Sequence, residues 1–421
     1  MRATIVAVAV FAAVALSGVA EAVDIGKALA DAFNPVKEGF DAFGDEVVAA
    51  FNPRKSFKLH TLRNREAVCL DGSPAGYWFR EGWGDGKDKW LVHLEGGGAC
   101  YSMEDCYERS KTVLGSSKRW PTEQTRGEPI FSTDSAKNPD FYNWNAVFVG
   151  YCDGSVYTGN ASEPAVVDGK SLYFRGKSIL GSTMAQLNHR QGMLGASDIV
   201  WSGSSAGAVA TLYHADWLGK RLGPNVETFR AIPFSGLVFS DGPNFQGENE
   251  LSKMLQWAYK AMDLRFDSPC AKDHAGEEYK CGYPETAYRY IKTPVFLSNS
   301  VYDAWTVQNA DNISKKTVRA NQMNDVIPYL NGQARGTWDN ITETKTWSKA
   351  GNGAFITSCM THVGGLKNPG WDGVIVDGRN LRDSISLWMQ GEPSRTTRPC
   401  QYTRAPPHSC NPTCPPSELQ L

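Results

Sequence analysis

Short apolar runs punctuate the middle of the chain: Trp90–Leu94, Ala146–Gly150, Ile199–Trp201, Thr228–Pro233, Pro294–Leu297 and Val374–Val376. Each is only a few residues long and bounded by Gly, Pro or polar residues, the pattern of a buried strand. Between them lie longer stretches with helical spacing: Gly181–Gly192, Ala206–Leu222, Glu250–Leu264 and Leu381–Gln390. Strands alternating with helices predict an α/β fold, a mostly parallel sheet with helices on both faces. No linker interrupts the alternation, so residues 57–391 are expected to form a single domain with inserted loops.

The two ends read differently. Arg2 precedes an uncharged apolar run, Ile5–Leu16, followed by small residues ending Ala20-Glu21-Ala22. That is the pattern of a secretory signal peptide, residues 1–22. Its apolar run is shorter than the roughly 20 residues a membrane span needs. Residues 23–56 carry Ala-Phe-Asn-Pro twice, at Ala32–Pro35 and Ala50–Pro53, with Val36, Phe40, Phe43, Val47 and Val48 at helical spacing. They predict an N-terminal helical extension whose helices stop near each Asn-Pro. Residues 392–421 are rich in Pro and Cys without periodicity and read as a loop-like tail.

Charge narrows the partners. Lys+Arg 43 against Asp+Glu 45 gives a net charge of −2, which excludes a polyanion held by charge alone. No later apolar stretch is long enough for a membrane span, so a soluble protein without stable membrane association is expected, and a monomer is the expected state. The cysteines are even in number: Cys69, Cys100, Cys106, Cys152, Cys270, Cys281, Cys359, Cys400, Cys410 and Cys414. In an exported chain they are expected to pair, and spacing favours Cys100–Cys106 and Cys270–Cys281 as short loops. The absence of a C-x-x-C pair and the scattered histidines give no pattern for a metal, so none is expected, nor any organic cofactor. Asn160, Asn312 and Asn340 stand in N-x-[ST] sequons and are candidate glycan sites.

The sharpest chemical signal is Gly203-Ser204-Ser205-Ala206-Gly207, directly after the apolar Asp198-Ile199-Val200 and before Ala208–Leu212. A G-x-S-x-G between strand and helix places the middle serine on a strained turn, flanked by glycines that remove clashing side chains. Ser205 is the candidate nucleophile, and Ser204 has the wrong phase. A second signal is Leu91–Glu95 running into Gly96-Gly97-Gly98-Ala99-Cys100. A glycine-rich turn after an early strand can present N–H groups to a developing oxyanion. Gly97 and Gly98, with the amide of Ala206, are the candidate donors.

A serine of this kind needs a base and an acid further along the chain. His274 sits in a charged stretch and His408 in the Pro-rich tail. His362 follows the apolar Ala354-Phe355-Ile356 and is the better base. Thr293–Ser300 reads as a late strand, and Asp303 follows it as the candidate acid. Asp241, in a Ser-Asp-Gly-Pro turn, is the runner-up. Asp311, Asp325 and Asp339 lie among polar residues and are expected at the surface.

These residues carry a resemblance. The chain is similar to the pectin acetylesterase/Notum family of carboxylesterases in Cys69–Tyr77, Leu91–Cys100, Leu114–Lys118, Asn138–Asn145 and Tyr151–Gly154, and in Gly203–Gly207, Asn299–Trp305 and Ser358–His362. It looks closer to the plant branch in Asn138–Asn145, Tyr151–Gly154 and Tyr302–Trp305. The resemblance implies an α/β-hydrolase-like fold, the triad Ser205, Asp303, His362 and the oxyanion hole Gly97, Gly98, Ala206. By matched cysteines it implies Cys69–Cys152 and Cys100–Cys106, with Cys359 tied to the C-terminal cysteines. Ala99 departs from the aromatic residue usual at that position in the plant branch, which puts the pocket wall in question. The expected function is a secreted serine esterase that removes O-acetyl groups from cell-wall pectin. A Notum-like deacylase acting on a lipid acyl ester of a protein is the alternative, and a non-catalytic binding module is a third reading.

Overall fold

The apolar runs become the centre of a large sheet. The computed structural model describes residues 56–314, 323–397 and 410–418. The strands are β1 (Ser56–Thr61), β2 (Gly76–Arg80), β3 (Lys89–Leu94), β4 (Glu123–Thr125), β5 (Asn145–Val149), β6 (Ala165–Val167), β7 (Lys170–Leu172), β8 (Asp198–Ser204), β9 (Thr228–Phe234), β10 (Phe296–Ser300), β11 (Gly353–Thr357) and β12 (Arg395–Thr397). Among the described residues ten of them form one sheet, in the order β12-β11-β10-β9-β8-β3-β5-β2-β1-β4. From β12 to β5 every neighbour is parallel, while β2, β1 and β4 add an antiparallel edge. β6 and β7 form a separate hairpin.

Both faces of the sheet are buried, as the apolar runs require. Along β3, Trp90, Val92 and Leu94 belong to one hydrophobic cluster and Leu91 to the other. The same alternation separates Val147 and Val149 from Ala146 and Phe148 on β5, and Ile199 and Trp201 from Val200 on β8. Each Val, Leu, Ile or Phe among them, fully buried, contributes roughly 1.5–3 kcal/mol. The helix Ala206–Gly219 packs on β8 and β9 and is buried around most of its circumference. That explains why it is apolar all round rather than striped.

Three expectations are corrected, and one helix is added. Val374–Val376 is not a strand. A tight turn with positive φ at Asp377 and Gly378 folds it back, leaving only an isolated bridge from Val376 to Arg379. Val374 and Val376 stay buried because they fill the core cluster under the tail. Within the tail, Arg395–Thr397 is a strand, β12, that extends the parallel sheet beside β11. Asp311 is buried, not at the surface, and accepts a hydrogen bond from the Tyr329 hydroxyl at 3.0 Å. Burial pushes its carboxyl up to about 7. The helix Met323–Thr342 has no counterpart in the sequence reading, because Pro328 inside it and glycines at 332 and 336 mask its pattern. Asp325 and Asp339 are exposed on it.

The expected disulfides form at Cys69–Cys152, Cys100–Cys106, Cys270–Cys281 and Cys359–Cys414. Cys410 is also disulfide-bonded. The signal peptide, the N-terminal extension apart from Ser56, Cys400 and His408 lie outside the described residues. No helix of the described residues is long and apolar enough to cross a membrane.

Candidate active site

The sheet fixes where a site can form. β3 and β8 are neighbours, yet the chain leaves β3 toward β5 on one side and β8 toward β9 on the other. Such a reversal of strand order opens a crevice at the carboxyl ends of the strands. The two glycine-rich turns after β3 and β8 both lie there, in register through Leu94 and Gly203.

At the end of β8 the chain turns through Ser205, whose φ of 54° and ψ of −123° place a non-glycine residue in a rarely occupied region. The surroundings hold it there. Its N–H donates to the Phe234 carbonyl at 2.9 Å, and its carbonyl accepts from Val209 N–H at 3.0 Å. Gly203 and Gly207 permit the turn by contact: a Cβ on Gly207 would sit 2.1 Å from the Leu94 carbonyl oxygen, and one on Gly203 2.2 Å from the Gly207 carbonyl oxygen. Ser205 also caps the buried Ala206–Gly219 helix, at the positive end of its dipole.

The other two side chains arrive from distant segments. Asp303 follows β10 and is 2% exposed. Its Oδ1 accepts from the N–H groups of Trp305 at 3.0 Å and Thr306 at 3.1 Å, which fixes the carboxylate plane. His362 follows β11. Its Nδ1 lies 2.9 Å from both oxygens of Asp303, and its Nε2 lies 2.8 Å from Ser205 Oγ. With Nδ1 protonated toward the carboxylate, Nε2 is free to accept the serine proton. A hydroxyl, an imidazole and a buried carboxylate in this chain of contacts can generate an alkoxide-like nucleophile. The three residues singled out in the sequence are thus brought together.

The glycine-rich turn sits against the same point. A Cβ on Gly96 would lie 3.0 Å from Ser205 Cβ, and Gly97 and Gly98 have φ of 142° and 69°. Among the described residues, no main-chain or side-chain acceptor meets the N–H groups of Gly97, Gly98 or Ala206. Ahead of this turn, burial pushes the Glu95 carboxyl up to about 7, opposed by the Tyr151 N–H it accepts at 2.9 Å.

The alternatives fall away from this point. Ser204 Oγ instead meets His93 Nε2 at 3.3 Å, and Ser202 Oγ meets His93 Nδ1 at 3.1 Å. Burial, reinforced by Arg126, lowers His93 to about 3, so it is a neutral core histidine. Asp241 is an exposed turn residue, and His274 ends the short Pro269–Asp273 helix.

With this geometry in place, sequence comparison becomes decisive. The profile of the family described as Pectinacetylesterase matches residues 51–415. The chain belongs to the pectinacetylesterase family. It is a carboxylic ester hydrolase. It is 32% identical to pectin acetylesterase 5 of Arabidopsis thaliana over 84% of this chain and 82% of that protein. It is 27% identical to the palmitoleoyl-protein carboxylesterase NOTUM of Schmidtea mediterranea over 84% of this chain and 70% of that protein. The crystal structure of the Wnt deacylase Notum from Drosophila superimposes with a TM-score of 0.73 at 25% identity, covering 86% of this chain and all of that one. The α/β-hydrolase-like fold implied by the resemblance, with the mostly parallel sheet expected from the strand and helix pattern, is the one this solved structure shares.

Two supports of the site had no signal in the sequence. The loop bearing His362 is held by the C-terminal segment: Glu418 Oε2 accepts from His362 N–H at 2.9 Å, and Glu418 N–H donates to the Met360 carbonyl at 3.0 Å. Lys367 Nζ donates to the His362 carbonyl at 3.1 Å and pairs with Glu418 Oε1 at 2.9 Å. One ion pair therefore grips both main-chain groups of His362, and Cys359–Cys414 staples the same segments. On the other side, Arg109 donates to the Gly97 carbonyl at 2.9 Å. Neither contact follows from local spacing. The candidate glycan sites differ: Asn160 is exposed, whereas the Asn340 amide donates to Glu285 at 2.7 Å and Asn312 has a φ of 56°.

Proposed function

We propose that this protein is a secreted serine esterase that removes O-acetyl groups from pectin in the cell wall. The observation that carries the reading is the continuous contact from Ser205 Oγ to His362 Nε2 at 2.8 Å and from His362 Nδ1 to Asp303 at 2.9 Å. Ser205 attacks the acetyl carbonyl carbon as His362 Nε2 takes its proton. The carbonyl electron pair moves onto oxygen, facing the N–H groups of Gly97, Gly98 and Ala206. Collapse of that intermediate expels the sugar alkoxide, which takes the proton from His362. Water then gives a proton to His362 and attacks the acetyl-enzyme. Acetate leaves, and the proton returns to Ser205. No metal or organic cofactor is needed for these steps. Export is supported by the residue 1–22 pattern and by four disulfides among the described residues, which suit an oxidising compartment.

Pectin is favoured by similarity to the plant enzymes. A cavity of about 250 Å³ lies behind Asp303, and neither Ser205 nor His362 lines it. Asp241, Glu248, Glu285 and Asp311 line it together with Leu237, Val238, Phe239, Leu330 and Ile341, so its wall is mixed. Tyr101, just after the glycine-rich turn, is exposed, and the Trp305 ring lies 6.3 Å from that of His362. Both offer aromatic faces to a sugar ring.

The Notum likeness supports a second reading, hydrolysis of a long acyl ester on a protein. Acetate release from acetylated pectin, beside acetylated xylan, tests the first, with Ser205→Ala as control. Release from pectin that vanishes in the control is expected. Hydrolysis confined to p-nitrophenyl esters of eight or more carbons would overturn the acetyl reading in favour of the second.

A further inference from the structure

We propose that Arg109 is the positioning residue of the oxyanion hole, an inference that rests on the serine-esterase reading above. The Gly97–Gly98 peptide joins two residues at positive φ, and the space a Gly98 side chain would fill has no neighbour within 4 Å. On the Gly98 side no side chain fills that space, so the orientation of this peptide rests on the Gly97 side. In a trans peptide the C=O and the following N–H point in opposite directions. Whatever holds the Gly97 carbonyl therefore aims the Gly98 N–H.

Arg109 is that holder. It lies near the end of the helix Met103–Ser110. Its Nη2 donates to the Gly97 carbonyl at 2.9 Å and its Nε to the Leu114 carbonyl at 3.1 Å. Two donors of one planar group, on two acceptors, fix its orientation in a way one ammonium cannot. The guanidinium sits 5.1 Å from the centre of the Tyr151 ring. Leu114 closes the other side: a Cβ on Gly97 would lie 2.8 Å from its Cδ2. Cys100–Cys106 ties this helix back to the glycine-rich turn, and Cys100 N–H donates to the Gly154 carbonyl at 3.1 Å. With that carbonyl fixed on Arg109, the Gly98 N–H is aimed to the opposite side, where the oxyanion forms.

The test is Arg109→Met and Arg109→Lys in the full chain, with three readouts: kcat and KM on p-nitrophenyl acetate, Tm, and Ki for a trifluoromethyl ketone. The ketone forms a hemiketal with Ser205 and so places an oxyanion in the hole without turnover. Arg109→Met is expected to lower kcat by roughly 100-fold and to weaken the ketone by the same factor, as loss of one oxyanion donor does. KM should stay within about threefold, because the substrate carbonyl is not yet charged. Arg109→Lys keeps charge and one donor, so both losses should shrink to roughly tenfold in parallel. Should Arg109→Met fail to fold, the lysine variant carries the test alone. A folded variant whose kcat and Ki both match wild type overturns the proposal. So does a fall in kcat with unchanged Ki, which would mark Arg109 as a structural residue only. If the ketone fails to inhibit the wild type, the serine-esterase reading falls and the proposal with it.

Discussion

The two sides of the site are held by opposite means. On the Ser205 side, the residue is kept in place by groups that touch because nothing lies between them: Gly203 against Gly207, Gly207 against Leu94, Gly96 against Ser205. On the histidine side, His362 is kept in place by side chains that reach in from elsewhere: Asp303, Lys367, Glu418 and the Cys359–Cys414 bridge. The first side is broken by adding atoms and the second by removing them. Close-packed backbone cannot yield to a new methyl group, whereas a loop held by ion pairs and a disulfide loosens when its ties are cut.

The largest effect is expected at the buried acid. Asp303→Asn keeps the shape and the acceptor for Trp305 and Thr306 but lets the imidazole adopt the wrong tautomer, so kcat on p-nitrophenyl acetate should fall by roughly 10⁴-fold with little change in Tm. Equal activity of the two forms would remove Asp303 from the relay. Next comes Gly207→Ala. Its Cβ would lie 2.1 Å from the Leu94 carbonyl oxygen, so the elbow must shift, and a misplacement near 1 Å costs on the order of 100-fold. Wild-type kcat in this variant would show that the turn is not close-packed.

Smaller losses test the histidine side. Cys359→Ser with Cys414→Ser opens a closure between residues 55 apart, worth about 4 kcal/mol in the chain-entropy view. A lower Tm and a kcat down roughly tenfold are expected, because the loop bearing His362 gains freedom. Glu418→Gln is milder. It keeps an acceptor for His362 N–H and loses the pairing with Lys367, which is partly exposed, so only about a twofold to fivefold fall in kcat is expected. If Glu418→Gln outweighs the double cysteine variant, the ion pair rather than the bridge holds the loop.

The smallest effect is on stability against pH. Burial raises Glu95 and Asp311 to about 7 and Asp140 and Asp153 to about 6. Each then binds a proton more readily in the folded chain than in the unfolded one. Stability from these groups is complete below their ordinary range near pH 4 and is lost as pH rises through 6 to 7. Tm should therefore be higher at pH 5 than at pH 8, and the opposite order would show that these carboxyls are solvated or paired.

The same contrast decides what the sequence shows of the fold. Ser205 is legible because a strained turn between strand and helix leaves no choice but glycine on either side, and that requirement is written in consecutive residues. The buried strands are legible because both faces of a parallel sheet demand apolar side chains, which makes β3, β5 and β8 continuous runs. His362 and Asp303 are legible only once Ser205 is given, through chain order and the strands before them. Glu418 and Arg109 leave no trace, since an ion pair between residues 51 apart, or an arginine on a main-chain carbonyl, imposes no local pattern. Val374–Val376 shows the reverse error: apolar residues can be buried by a turn folded onto the core as well as by a strand.

The central claim is that one hydroxyl, Ser205, is activated by His362. The most direct measurement is labelling with an alkyl fluorophosphonate, followed by mass spectrometry of the peptide that spans Gly203–Gly207, in wild type and in His362→Ala. A single phosphonyl adduct on Ser205 in the wild type, with Ser204 unmodified and labelling lost in His362→Ala, is the predicted result. Labelling on another residue, or equal labelling of Ser205 in the variant, would contradict the account.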